Sequence, residues 1–473
     1  MGIKFYSRGA AQEVTGSRHY LDYNGRKIQI DCGAYQGKRH ESEERNRDIA
    51  KDISVESVEA VVLTHAHFDH SGMLPVLIKN GYNGNIYATP ATRDLASLIM
   101  MDSARIQAKD IEYLRKRSKK TGKTFNGDVI YDETDAIQAA NQFLTVGYKR
   151  PVLLTPEIKL TFYDAGHILG SSMPVFDIKD SAGKEIKFAF SGDLGRKNKP
   201  IIKDPEIIPD PDYLVVESTY GDRLHENKDD AEKRLAEIIR ATVKRGGRII
   251  IPAFAIERTQ ELVYHLHVLT NKKEIPHNIP IYVDSPMATN ATSIFRVHPE
   301  CYDSETHEAF LKYHKSPFGF DALRYTTSVE DSKRINEVKG PVIIISADGM
   351  CEAGRINHHL TQAIDKPENT ILIVGFMAQH TLGRKIQEKQ KVVKIFGEPY
   401  NLKAQVESID SFSAHADYNE MKEYIGQLDL KKLKTVFLVH GELDSQENLK
   451  HELKSIGVKN VKIAKYGEEY DID

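Results

Sequence analysis

Apolar runs of three to five residues recur along the chain and set its rhythm. They include Lys27–Asp31 (KIQID), Ala60–Thr64 (AVVLT), Lys159–Tyr163 (KLTFY), Lys187–Phe190 (KFAF) and Tyr213–Val216 (YLVV). Later runs are Arg248–Ile251 (RIII), Ile281–Val283 (IYV), Val342–Ile345 (VIII), Ile371–Val374 (ILIV) and Val436–Val439 (VFLV). Short β-branched runs of this kind read as strands. Between them, Thr92–Met101, Ala231–Arg245 and Glu257–Leu269 repeat apolar residues at helical spacing. Strands alternating with helices predict α/β layers. Polar clusters follow the apolar runs closely: HAHFDH after Thr64, AGHILG after Asp164, SGDLG after Phe190, ESTYGD after Val216 and HGELD after Val439. Strand ends are where a rigid scaffold converges functional side chains.

Composition narrows the class. A chain of 473 residues with 40% hydrophobic and 28% charged positions can build two or three cored domains. No apolar run is long enough to span a membrane. The N-terminus, MGIKFYSRGAAQEV, lacks the order of a signal peptide. Cys32, Cys301 and Cys351 are too scattered for a disulfide framework, so a reducing cytoplasm is expected. A formal charge of −3 gives no global basicity, and a polyanion would need a local basic surface. The most basic local run is Arg105–Lys120, which reads either as a nucleic-acid contact carrying Tyr113 or as a solvated helix face.

Imidazole with carboxylate is the ligand set of zinc and similar ions. In HAHFDH the donors are His65, His67, Asp69 and His70. Their spacing does not suit one helix face, but it suits a turn leaving a strand. His167, Asp193 and His440 occupy comparable Gly-flanked loops. We expect His65, His67 and His167 on one ion, Asp69, His70 and His440 on a second, and Asp193 bridging the two. Such two-metal sites hold their ions roughly 3.5–4 Å apart. Asp31 is read as a carboxylate orienting a ligand or a water, and Cys32 as a small core residue rather than a soft ligand.

The ordered set Asp31, HAHFDH, His167, Asp193 and His440 resembles the metallo-β-lactamase fold, an αββα sandwich carrying one or two metal ions. The gap between Asp193 and His440 exceeds what that fold needs. Within it and after it lie VVESTYGDRLH (Val215–His225), IPAFAIERTQEL (Ile251–Leu262), DSPMA (Asp284–Ala288), SADGM (Ser346–Met350) and SFSAHADY (Ser411–Tyr418). Together these closely resemble the β-CASP branch of the superfamily, which includes the endonuclease subunit of the cleavage and polyadenylation specificity factor. The implied architecture is α/β, with lactamase segments at residues 1–208 and 394–473 and an inserted α/β domain at residues 209–393. KDPEIIPDPD (Lys203–Asp212) reads as a linker near the first boundary.

The resemblance implies a zinc-dependent endoribonuclease with two zinc ions, acting on single-stranded RNA and leaving 5′-phosphate and 3′-hydroxyl ends. Asp31, Asp193, Glu217 and His415 would be the catalytic side chains, His415 as general acid with Glu217 as its partner. Histidine at position 440 is similar to the RNA-processing members rather than the DNA-repair members. A DNA nuclease and a small-molecule esterase of the same fold are the alternatives, and a non-catalytic scaffold is a third. Arg258, Ser346, Arg355, Thr381 and Arg384 are expected substrate contacts. His380 stands where relatives often have Gly, so a positive φ there would strain it. Archaeal relatives can carry N-terminal KH modules; none is expected here because the catalytic pattern begins almost at once. Members of the family frequently dimerise, and a homodimer is expected.

Overall fold

The computed structural model describes residues 2–472 except 38, 53–54, 122–124, 126, 180–182, 226–227, 313–315, 376, 378–379 and 410–411. Ser411 of SFSAHADY therefore lies outside the described residues, as do Phe376, Ala378 and Gln379 in the segment before Thr381. The chain forms two compact units. One comprises residues 1–198, 204–224 and 415–473, the other residues 199–203 and 225–414.

The first unit holds two seven-stranded sheets. One runs in the spatial order Tyr470–Ile472, Ile3–Ser7, His19–Tyr23, Arg26–Ile30, Val58–Val62, Ile86–Ala88 and Phe143–Thr145. The other runs Val461–Ile463, Thr435–Leu438, Tyr213–Val216, Glu185–Phe190, Ser172–Lys179, Ile158–Asp164 and Val152–Thr155. Alternate residues of a strand face opposite sides, and the inward set from both sheets forms one core. Phe5, Leu21, Ile28, Ile30 and Val62 come from the first sheet. Phe162, Phe176, Phe188, Phe190 and Phe437 come from the second. Phe5 lies 4.9 Å from Phe437 and 5.7 Å from Phe188, ring centre to ring centre, so the sheets interlock through aromatic rings. The far side of the second sheet packs Leu214, Val216, Val436 and Leu438 against Met421, Ile425, Leu449 and Leu453 of the helices Tyr418–Gly426 and Leu443–Ser455. Each of the ten runs named as a strand overlaps a strand here, and the three helical patterns overlap helices, with Arg245 and Glu257 just outside them.

The boundaries of the insert differ from expectation. Lys203–Asp212 does not open the inserted domain at residue 209. It leads to Tyr213–Val216, which is hydrogen-bonded in parallel between Glu185–Phe190 and Thr435–Leu438 in the first unit's second sheet. The second unit extends to residue 414 rather than 393, because Gln405–Ser408 pairs in parallel with Thr370–Ile373 as the edge of its own sheet. That sheet has six parallel strands in the order Leu323–Thr326, Ile281–Asp284, Ile343–Ser346, Ile249–Pro252, Thr370–Ile373 and Gln405–Ser408. Buried Ile250, Ile344, Ile371 and Ile373 pack against Ile356, Leu360 and Ile386 of the covering helices. Near-continuous apolar strands fit a parallel sheet covered on its faces.

Arg105–Lys120 lies within the helix Pro90–Thr121. Its Arg105 pairs with Glu133, Arg115 with Asp128 and Lys116 with Glu112, and Tyr113 is exposed. No helix among the described residues is long and apolar enough to cross a membrane.

Candidate metal centre

Loops leaving four strands of the first unit bring the sequence-identified donors together, and a fifth carries Asp31. After Val58–Val62 the chain turns into a four-residue helix, Phe68–Ser71, that carries Asp69 and His70. This loop lies hard against the one that follows Asp31. The amides of Cys32 and Ala34 donate to His70 O and Phe68 O, at 2.8 and 3.0 Å. A Cβ on Gly33 would sit 1.6 Å from Asp69 O, so glycine is required there by close backbone approach. The His167 and Asp193 loops meet the same way, since a Cβ on Gly195 would lie 1.8 Å from Gly166 O. Thr89 and Thr92 hydroxyls both donate to Gly170 O and anchor the end of the His167 loop.

Two donor groups result. In the first, His67 Nδ1 lies 3.1 Å from His65 Nε2 and 3.2 Å from His167 Nε2. Asp193 Oδ2 is 3.4 and 3.6 Å from the same Nε2 atoms of His65 and His167. In the second, His440 Nε2 lies 3.3 Å from His70 Nε2 and 3.3 Å from Asp69 Oδ2. Asp193 Oδ1 is 3.3 Å from His70 Nε2, so the two oxygens of one carboxylate address the two groups.

The residues behind the imidazoles determine which nitrogen faces the centre. Thr64 Oγ1 donates to Asp31 Oδ2 at 2.9 Å, so its lone pairs receive His65 Nδ1–H at 3.0 Å. Asp31 Oδ2 also accepts His70 Nδ1–H at 2.7 Å. Thr219 Oγ1 donates to His440 O at 3.2 Å and lies 3.0 Å from His440 Nδ1, which it thereby accepts. In each case Nδ1 carries a proton to its oxygen partner, which leaves Nε2 as the nitrogen turned towards the centre. Asp31 and His440 hold left-handed backbone, φ +60° and +50°, a conformation that short polar residues tolerate best.

Charge tells the same story. Asp31, Asp193 and Glu217 are buried and Asp69 nearly so, and among the described residues no lysine or arginine pairs with any of them. Buried carboxylates demand compensation. Burial, followed by repulsion from His65, lowers the pKa of His67 to about 3; burial and neighbouring His415 hold His167 well below the usual range. His70 goes the other way. Burial would lower it, but Asp193 and Asp31 prevail and raise it well above.

The donor set fits metal ions. Four donors at about 2.0–2.1 Å from a tetrahedral ion lie about 3.3–3.4 Å from one another, and the donors here are separated by 3.1–3.6 Å. Asp193 Oδ1 is buried and accepts no hydrogen bond among the described residues, as an oxygen reserved for a cation would be. Cys32 is buried outside both groups, and burial pushes its thiol up to about 11.

Beside the donors stands a third pair. Glu217 directly follows the strand Tyr213–Val216 and is fully buried, with Oε1 accepting Leu194 N–H at 2.7 Å and Oε2 accepting Thr219 N–H at 3.3 Å. His415 Nδ1 lies 3.0 and 3.1 Å from its two oxygens. Burial opposes protonation of His415, but the charge and hydrogen bond of Glu217 outweigh it and raise the pKa to about 9. The backbone of His415 bridges to Gly195, and Ala416 N–H donates to Leu194 O. Just beyond, Asp417 and Glu420 form a capping box on Tyr418–Gly426, which fixes the chain that presents His415.

The expected substrate contacts lie in the second unit and have structural employment. Arg258 pairs with Glu261; Arg355 donates to Asp284 and to the carbonyls of Thr326 and Thr327. Ser346 donates to Asp284 O, Thr381 caps Leu382–Gln387, and Arg384 pairs with Glu388. His380 has φ +71°, the left-handed conformation anticipated for a glycine position. Thr64 and Thr219, which set imidazole orientation, were not singled out in the sequence although both stand inside or beside quoted motifs.

Residues 20–190 match the metallo-beta-lactamase superfamily domain, residues 259–386 the Beta-Casp domain, and residues 399–464 the Zn-dependent metallo-hydrolase RNA specificity domain. Ribonuclease TTHA0252 of Thermus thermophilus is 34% identical over 465 residues, covering 97% of this chain and 98% of that one. Transcription termination factor FttA of Methanosarcina mazei is 30% identical over 449 residues, 93% of this chain and 67% of that one. Cleavage and polyadenylation specificity factor subunit 3-I of Arabidopsis thaliana is 30% identical over 451 residues, 94% of this chain and 60% of that one. A crystal structure of a protein of unknown function from Enterococcus faecalis V583 shares the fold, with TM-score 0.53, 11% identity and full coverage of both chains. Two donor groups joined by one aspartate, a buried glutamate paired with a partly exposed histidine and full-length likeness to a ribonuclease converge: the chain belongs to the β-CASP branch of the metallo-β-lactamase superfamily.

Proposed function

We propose that the chain is a zinc-dependent endoribonuclease that hydrolyses single-stranded RNA and leaves 5′-phosphate and 3′-hydroxyl ends. The observation that carries this reading is the single carboxylate of Asp193 set between two imidazole-rich donor groups, with the Glu217–His415 pair alongside. His65, His67 and His167 would hold one ion, Asp69, His70 and His440 the other. When bound, two divalent cations supply a nucleophile at neutral pH and stabilise charge on phosphorus.

The chain's own residues do the rest. Asp31, Thr64 and Thr219 fix imidazole orientation. With Nδ1 of His415 committed to Glu217, Nε2 is the nitrogen from which a proton can pass to the leaving 3′-oxygen. Glu217 keeps that imidazole protonated through neutral pH. Thr219 touches both halves of the machinery, through its hydroxyl to His440 and its amide to Glu217.

RNA as the substrate is supported by the RNA specificity domain matched at residues 399–464 and by the ribonuclease relative. A cytoplasmic location and a homodimer complete the proposal. Matched single-stranded RNA and DNA oligonucleotides, internally labelled and mapped at both product ends, test it. RNA cleavage with 5′-phosphate products is expected; faster DNA cleavage would make the chain a DNA nuclease instead.

A further inference from the structure

Within the first unit, outside the donor groups, lies a cavity of about 150 Å3 lined by Arg18, Tyr35, Arg45, Asp48, Ile49 and Tyr466. The space is partly open to solvent and large enough for a tetrahedral oxyanion with some hydration. Arg18 is only 3% exposed, yet it makes no ion pair among the described residues. Nη2 donates to Arg8 O at 2.9 Å, while Nε and Nη1 are buried with no acceptor. A buried guanidinium left without an anion is costly, because its hydration is lost and nothing replaces it.

The walls favour a phosphate. Arg45 lies 3.5 Å above the Tyr35 ring and is held by a two-pronged pair with Glu13, both contacts at 2.7 Å. Tyr35 is fixed in turn, its backbone N–H and carbonyl both bonded to the Asn46 amide. Arg8 stands 5.9 Å from the ring centre of half-exposed Tyr466. Asp48 also lines the space; it is exposed, and among the described residues no ion pair joins it to Arg18. Guanidinium groups favour oxyanions that accept several hydrogen bonds at once.

We propose that this cavity is a phosphate-binding site in which Arg18 receives the oxyanion. The walls share backbone with the metal loop. Arg18 follows Ser17, whose N–H donates to Asp69 O at 2.8 Å, and Tyr35 follows Ala34, whose N–H donates to Phe68 O. The cavity therefore adjoins the loop that carries Asp69 and His70. The phosphate is either free in solution or belongs to an RNA strand, the latter resting on the function proposed above.

Calorimetric titration of the metal-loaded protein with inorganic phosphate tests the site, with metal content measured for every variant. Arg18→Gln should weaken at least one class of phosphate site by tenfold or more. Tyr466→Asp, a change at a half-exposed position that places an anion at the mouth, should do the same with metal content unchanged. Unaltered phosphate binding in both variants would overturn the proposal. Steady-state cleavage of a short single-stranded RNA separates the sources. A raised KM with steady kcat in both variants identifies a strand phosphate, whereas unchanged KM with weakened phosphate binding identifies a free ligand. If no RNA is cleaved by the wild type, the proposed function fails and the phosphate titration still decides the site.

Discussion

Replacing Glu217 by Gln removes the anion beside His415 while preserving shape. Glu217 receives Leu194 N–H at 2.7 Å, Thr219 N–H at 3.3 Å and His415 Nδ1 at about 3 Å. A carboxamide offers one acceptor oxygen and a donor –NH2, so at least one of these donors must then face another donor. Burial lowers the His415 pKa, but Glu217 foremost, with Asp193 and Asp69 behind it, raises it to about 9 against an ordinary 6.5, a net preference for the imidazolium worth roughly 3 kcal/mol. Returning it to the ordinary value cuts the protonated fraction at pH 8 about thirtyfold, and kcat should fall by a similar factor if His415 is the acid. The sign for stability follows the raised pKa. The pair stabilises the fold fully below about pH 6.5, and the contribution is lost as pH rises through about 9. Glu217→Gln should therefore lower Tm more at pH 6 than at pH 10. The assay is a pH–rate profile on single-stranded RNA beside metal analysis, with the alkaline limb moving to lower pH and metal content unchanged. An alkaline limb left in place would refute the reasoning.

Thr219→Val keeps the size of the side chain but deletes the hydroxyl that receives His440 Nδ1–H; metal affinity should drop about 10–100-fold in competition with a chelator. Phe188→Ala empties the aromatic centre between the two sheets and should cost about 3–5 kcal/mol in denaturant unfolding, without altering the metal content of the folded protein. His380→Gly relieves a left-handed residue at φ +71° and should stabilise the chain by about 1 kcal/mol, read as a raised Tm.

How much of this was legible follows from what each residue does locally. HAHFDH announced metal chemistry because its side chains have no other common use at that spacing after a buried strand. Asp193 and His440 could be placed with it only through their order and their glycine-flanked loops, since the contacts that join them span hundreds of residues. The strand Ser172–Lys179 went unread because Pro174 interrupts its apolar pattern, although it pairs with Phe162 in the interior of the sheet. Ile86–Ala88 is too short to stand out from the helices around it. The start of the insert was misplaced because prolines in Lys203–Asp212 resemble a linker, whereas parallel pairing with Thr435–Leu438 leaves no local mark. Thr64 and Thr219 escaped notice because a hydroxyl that fixes a tautomer looks like any other threonine in a sequence.

The central claim is a dinuclear metal site joined by Asp193. Metal content per chain, measured by mass spectrometry on protein washed with a weak chelator, tests it most directly in the wild type, Asp193→Asn and His415→Ala. Two metal ions per chain are expected in the wild type and in His415→Ala, with fewer in Asp193→Asn and RNA cleavage lost in both variants. Full RNA cleavage by a metal-free protein, or an Asp193→Asn chain that keeps both ions, would contradict it.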